Sequence, residues 1–247
     1  MKKQFQIIAT TFITVAFISC SKEKVEIPEP PVATVEEISA GSSLNRPYVD
    51  PLTIKLEGWF PFDGNLKDRT RKLVDGVPTA RGGSYTKDRK GNSNSAIYFD
   101  STYGVKLKKV PQQTNTSVSV WIKPAKVYYP SSFILYPDTY GQAITHVSNL
   151  ISCGMAIDPG VPIGAGYKNI VNTDWRHIVI TYDGQNIRVY IDNVKTTFTK
   201  SGSVPPSLAD FFLAYFPGKV NWKGAIDDLR FYSRTLSDAD VQALYNL

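Results

Sequence analysis

The sequence predicts an all-β protein, a two-sheet antiparallel jelly-roll sandwich with a short C-terminal helix. Three observations carry this. From Ile54 onward, short alternating apolar runs are separated by Gly, Pro, Asn and Asp, the texture of stacked strands. The stretch "WRHIVITYDGQNIRVYIDNV" reads as a hairpin: Ile178, Ile180 and Tyr182 alternate against Val179 and Thr181, "DGQN" turns the chain, and Ile187, Val189 and Ile191 resume the alternation. Helical spacing is confined to the end of the chain. There Ser237 and Asp240 form a capping-box start, Leu236 and Val241 sit as a hydrophobic staple, and Val241, Leu244 and Tyr245 line one face.

Residues 1–19 read as a signal peptide. Lys2 and Lys3 form its basic start, and the apolar run from Phe5 to Ile18 is too short for a membrane span. The run ends in "FISC", which resembles a bacterial lipobox and implies cleavage before Cys20 with a lipid on its sulfur. Residues 20–53, with "EIPEPPVATVEE", read as a flexible tether. Within it "SKEKVE" resembles the charged signals that place some lipoproteins on the outer face of the outer membrane. That implies a lipid-anchored, surface-exposed location in which the anchor is the only membrane contact.

Residues 54–247 form the jelly-roll domain. Its candidate strands are "IKLEGWFPF", "SAIYFD", "YGVKLK", "SVSVWIKP", "SFILYP", "QAITHVSNLISCGMAI", "WRHIVITYD", "NIRVYIDN", "DFFLAYFP" and "WKGAIDDLRFYS". The net charge is +6, and because the tether is acidic the basic surplus belongs to this domain. Such a surplus suits an anionic polymer as partner, with the alternative that scattered surface lysines serve solubility alone. With no recognition helix or aromatic-basic motif beside them, no nucleic-acid partner is expected. Lipid attachment at Cys20 leaves Cys153 without a disulfide partner. With Ile151 and Met155 at period-2 positions, Cys153 reads as a small buried hydrophobe. His146 and His177 lie far apart, and no Cys/His spacing points to zinc.

Five segments in order, "FPFDGNLKD", "SAIYFD", "SVSVWIKP", "WRHIVITYDGQNIRVYIDNV" and "GAIDDLRFYSRTLSDADVQALY", make the chain similar to the laminin-G-like, concanavalin A-like jelly-roll domains. The sequence departs from that pattern at "DRTRKLVDG" and between Lys126 and Lys168. The resemblance implies two facing antiparallel sheets of about a dozen strands. It also implies one structural calcium ion near the first loop and the "IDD" strand, with Asp63 and Asp68 matching the loop acids and Asp227 a strand acid. Calcium takes six to eight oxygens, which Asp and backbone carbonyls supply, but Arg69, Arg71 and Lys72 crowd the loop. The other reading stands beside it: Asp227 accepts backbone N–H bonds and Asp63 shapes a turn.

In "GAIDDLRFYSRTL" the strand period places Asp227 with Ala225, Leu229 and Phe231 on a buried face. It places Asp228 with Ile226, Arg230 and Tyr232 on the other, where a contact with Arg230 is expected. Acids on opposite faces cannot flank one bond. Glycosidases of the resembled fold carry "ExDxE" with carboxyl groups about 5 Å apart, whereas Glu57 is the only Glu after the tether. The expected protein is therefore not an enzyme but a non-catalytic carbohydrate-binding module for poly- or oligosaccharide. An adhesive or structural module that binds protein is the alternative. Sugars stack on aromatic faces. Trp59, Trp121, Trp175 and Trp222 read as core, so the candidate platforms are Tyr128, Tyr129, Tyr136 and Tyr140 in "VYYPSSFILYPDTYG" and Tyr167 in "GAGYKN". Packing within their loops is the alternative for all five.

Overall fold

Apolar alternation builds sixteen strands and one α-helix among the residues described by the computed structural model, which are 50–80, 83–158, 161–216 and 220–247. The expected signal peptide, Cys20 and the expected tether as far as residue 49 lie outside the described residues. The strands are β1 (Leu56–Phe60), β2 (Val77–Pro78), β3 (Ser84–Thr86), β4 (Ala96–Asp100), β5 (Val105–Gln112), β6 (Thr116–Pro124), β7 (Tyr129–Pro137) and β8 (Gly141–Ser148). They continue with β9 (Leu150–Asp158), β10 (Val161–Asn169), β11 (Arg176–Tyr182), β12 (Asn186–Ile191), β13 (Val194–Thr199), β14 (Ser207–Leu213), β15 (Val220–Asn221) and β16 (Lys223–Tyr232). Helix α1 spans Asp238–Asn246.

The strands form two sheets of a jelly-roll sandwich. The first runs β13-β12-β11-β6-β16-β4-β3, and β1 pairs with β16 along Leu229 to Tyr232, beyond the stretch that β4 occupies. The second runs β10-β9-β8-β7-β14-β5-β2, with β15 on β7. Inward side chains of both sheets interdigitate: Val118, Val120, Ile122, Ile178 and Ile180 of the first meet a core that includes Ile144, Cys153, Met155 and Phe211 of the second. Burying each large apolar side chain contributes roughly 1.5–3 kcal/mol. Cys153 is fully buried, and burial pushes its thiol well above the usual range, as suits a packing residue.

The predicted hairpin is β11–β12, paired from Ile178↔Ile191 to Tyr182↔Ile187. At its turn Gly184 has φ +92°, and Asp183 Oδ1 accepts from the Gln185 and Asn186 N–H groups. Helix α1 begins with the expected capping box between Ser237 and Asp240. It lays Val241 and Leu244 over Val179, Tyr190 and Tyr232 on the outer face of the first sheet, joined by Leu52 from the single-turn helix Pro51–Thr53.

Two expectations change. "QAITHVSNLISCGMAI" is not one strand but a hairpin, β8–β9, which folds back between Val147 and Leu150 with Ser148 at φ 53°. Without Gly or Pro at the bend, the turn leaves no punctuation in the alternation. The candidate strands also omit β2, β3, β10, β13 and β15: β2, β3 and β15 are two or three residues long, β10 is rich in glycine, and β13, "VKTTFT", is exposed along its whole length at the sheet edge.

Candidate functional site

The aspartate doublet departs from simple strand geometry. Asp227 pairs with Trp121 and Arg230 with Ser119, so β16 holds one extra residue against β6, and Asp228 takes φ 50°. This is a β-bulge. The shift leaves Ile226, Leu229 and Phe231 in the core between the sheets while both carboxylates converge on Arg89 from the β3–β4 loop. Arg89 Nη1 lies 2.6 Å from Asp227 Oδ2 and Nη2 lies 3.5 Å from Asp228 Oδ2. The expectation of opposite faces is thus corrected. Asp228 is buried rather than superficial, and it does meet Arg230, at 3.0 and 3.2 Å. It also accepts the Trp59 indole N–H at 2.6 Å.

Aromatic rings insulate this cluster. The guanidinium groups of Arg69 and Arg230 lie 4.6 and 4.4 Å from the Trp59 centroid, and Arg89 lies 4.8 Å from Trp121. Trp121 stacks on His177 and on Tyr245 of α1. Burial pushes the Asp227 carboxyl up to about 7, opposed by Arg89 and helped by the charge of Asp228. Burial, with Arg89 and Arg230 nearby, drives His177 down to about 3, so its ring is neutral.

Asp63, Asp68 and Asp227 do not fit a calcium centre. Both Asp68 oxygens are filled by donors: Oδ1 takes the Trp59 and Thr70 N–H groups, and Oδ2 takes the Thr70 hydroxyl and the Lys72 and Leu73 N–H groups, all at 2.6–3.1 Å. Asp63 is exposed, and its backbone carbonyl accepts from Asn65. Asp227 faces a guanidinium. No three His, Cys, Asp or Glu among the described residues are placed to hold a metal. The bracing of backbone N–H groups expected of Asp227 falls to Asp68 instead, and Asp227 is held by Arg89. The expected result is that the thermal melting curve is the same in millimolar calcium and in EDTA. A fall in melting temperature on chelation would contradict this assignment.

The five tyrosines separate into different environments. Tyr129 is buried, donates its hydroxyl to the Lys223 carbonyl and packs on His146 at 4.5 Å, so it is a brace rather than a platform. Tyr140 is half-buried against the core and Tyr128 is exposed. Tyr136 and Tyr167 both face outward on the second sheet. The register runs Phe133↔Thr145, Thr145↔Ser152 and Ser152↔Tyr167, so these four side chains make one row across β7, β8, β9 and β10. Residues directly opposite in antiparallel strands share a face.

Beside this row is a trough of about 250 Å³ with Phe133 and Tyr136 on one wall and Ala143, Gly154 and Gly164 on its floor. Thr145 and Ser152 bring hydroxyls into it. Gly154 is required there, because a Cβ would meet the Ile163 carbonyl oxygen at 2.0 Å. Phe133, Tyr136, Phe212 and Phe216 form an aromatic cluster with centroids 4.5–6.0 Å apart. The sequence pattern does not single out the phenylalanines, because "DFFLAYFP" reads as a strand; its alternation, Phe211 inward and Phe212 outward, is the available signal. Of the tryptophans, Trp121 and Trp222 are buried as expected, while Trp59 and Trp175 are half-buried.

Residues 94–242 match the sequence model of a family described as the concanavalin A-like lectin/glucanases superfamily. No protein with a curated description matches the chain. Among solved structures, domain 4 of AbnA, an extracellular GH43 arabinanase from Geobacillus stearothermophilus solved with arabinotriose, is 21% identical over 77% of this chain and 98% of that one, with a TM-score of 0.63. The binding domain of botulinum neurotoxin serotype C1 is 14% identical over 78% of this chain and 52% of that one, with a TM-score of 0.59. The binding domain of botulinum neurotoxin DC, in complex with SialylT, is 15% identical over 78% and 51%, with a TM-score of 0.60. The chain thus spans about half the length of those toxin domains. At these identities the likeness is one of fold.

Proposed function

Because the chain belongs to the concanavalin A-like lectin/glucanases superfamily, we propose that it is a non-catalytic carbohydrate-binding protein held at the outer membrane surface by a lipid on Cys20. The observation that carries the sugar reading is the trough on β7–β10, where an aromatic wall of Phe133 and Tyr136 borders a glycine floor and Thr145 and Ser152 supply hydroxyls. Aromatic rings stack on the C–H faces of sugars, and hydroxyls and backbone groups complete the hydrogen bonds at such a shallow site. No charged residue lines the trough among the described residues, so its ligand is a neutral oligosaccharide. The arabinotriose complex of AbnA domain 4 supports this reading by analogy of fold.

The non-catalytic part rests on the acids. Asp227 and Asp228 are committed to Arg89 and Arg230, and no carboxylate lines the trough among the described residues. A glycosidase needs two carboxyl groups flanking the scissile bond. One observation favours the protein-binding alternative: edge strand β13 exposes Val194 and Phe198, a surface suited to strand addition.

A glycan array and affinity gels containing neutral plant and microbial polysaccharides test the proposal. Binding to a neutral glycan is expected. Silence across the panel, with a protein partner captured through β13, would replace the sugar reading by the adhesive one.

A further inference from the structure

We propose that the protein carries a second saccharide site, on the outer face of the first sheet, which selects sugars bearing carboxylate groups. The site is a groove of about 640 Å³ over β4, β16 and β6, overhung by the β3–β4 loop. Register sets its floor and walls. Ala225 pairs with Tyr98 on one side and Lys123 on the other, so the three side chains lie abreast with the small one in the middle. Arg176 pairs with Ile122, which puts Trp175 beside Lys123 at the far wall. Three strand spacings separate the two aromatic walls, roughly 14 Å, a span suited to a short oligosaccharide.

The charge on this groove is specific. Asp88, on its rim, is consumed within its own loop by the Lys90 and Asn92 N–H groups and the Asn92 amide. Arg89 turns away to Asp227 and Asp228. Lys87 and Lys123 line the groove, and neither side chain makes an ion pair or hydrogen bond among the described residues. Two unpaired ammonium groups lining a groove bounded by two aromatic side chains fit a sugar that offers both a C–H face and a carboxylate. The trough on the second sheet lacks charged lining residues, so the two sites differ in ligand class.

Oligogalacturonate and a neutral galactan oligomer of equal length are titrated into the protein by calorimetry at two salt concentrations. The expected result is that oligogalacturonate binds and weakens with salt. The double change Lys87→Gln and Lys123→Gln should weaken it about tenfold, and Trp175→Ala by a similar factor. Chemical-shift mapping on the unaltered protein gives a second reading independent of variant folding: the perturbed signals are the Trp175 indole and the Tyr98 and Ala225 backbone. Perturbation at Gly154 and Gly164 instead would overturn this site while leaving the neutral trough standing. Unchanged affinity of the lysine variant would place the acidic sugar elsewhere, and equal displacement by dextran sulfate and DNA of matched charge would reduce the groove to non-specific ion exchange; either result overturns the proposal.

Discussion

Arg89→Ala is expected to destabilise the fold by roughly 3–5 kcal/mol, because it strips a buried carboxylate pair of its guanidinium. The Arg89 side chain is 13% exposed and that of Asp227 5%, so water does little to replace the lost partner. Arg230 remains beside Asp228 but makes no hydrogen bond to Asp227. For a domain of this size the loss corresponds to a fall in melting temperature of about 10 °C. Arg89→Lys should fall between, since an ammonium keeps the charge and loses the fork that reaches both acids. Adding Asp227→Asn to Arg89→Ala should recover part of the loss by removing the stranded charge. A melting temperature like that of the unaltered protein, or losses that simply add, would show that the cluster does not brace the sheet.

Tyr136→Ala combined with Tyr167→Ala is expected to weaken neutral-glycan binding about a hundredfold, each ring contributing about tenfold through stacking. Tyr167 is 74% exposed, so its removal leaves the melting temperature unchanged and isolates the effect on binding. Tyr136 also packs on Phe133 and Phe216, so a modest loss of stability accompanies its removal. Affinity electrophoresis beside a melting curve separates the two effects. Undiminished retention of the double variant in the gel would place the sugar elsewhere.

Local patterns were the legible part of this molecule. The β11–β12 hairpin and the capped helix α1 each lie within a short window, where turn chemistry and periodicity speak directly. The cluster at Arg89 was not legible, because its contact with Asp227 spans 138 residues and the bulge that aims both acids depends on a left-handed Asp228 that no local motif announces. Asp tolerates that conformation better than most residues. The trough was half legible. Tyr136 and Tyr167 stood out as aromatic residues in an unusual region, but their shared face follows only from the registers of four strands, which one-dimensional spacing does not encode.

Strand β16 lies in the middle of its sheet, paired on one side with β6 and on the other with β1 and β4, although it is separated from β1 by most of the domain. The Ser233 hydroxyl bonds to Glu57 across 176 residues of chain. Contacts of such long range make folding slow. During synthesis the first sheet therefore remains in two unconnected halves until β16 has emerged. A chain truncated before Lys223 would lose a central seam, and the halves on either side of it would have no common edge to close.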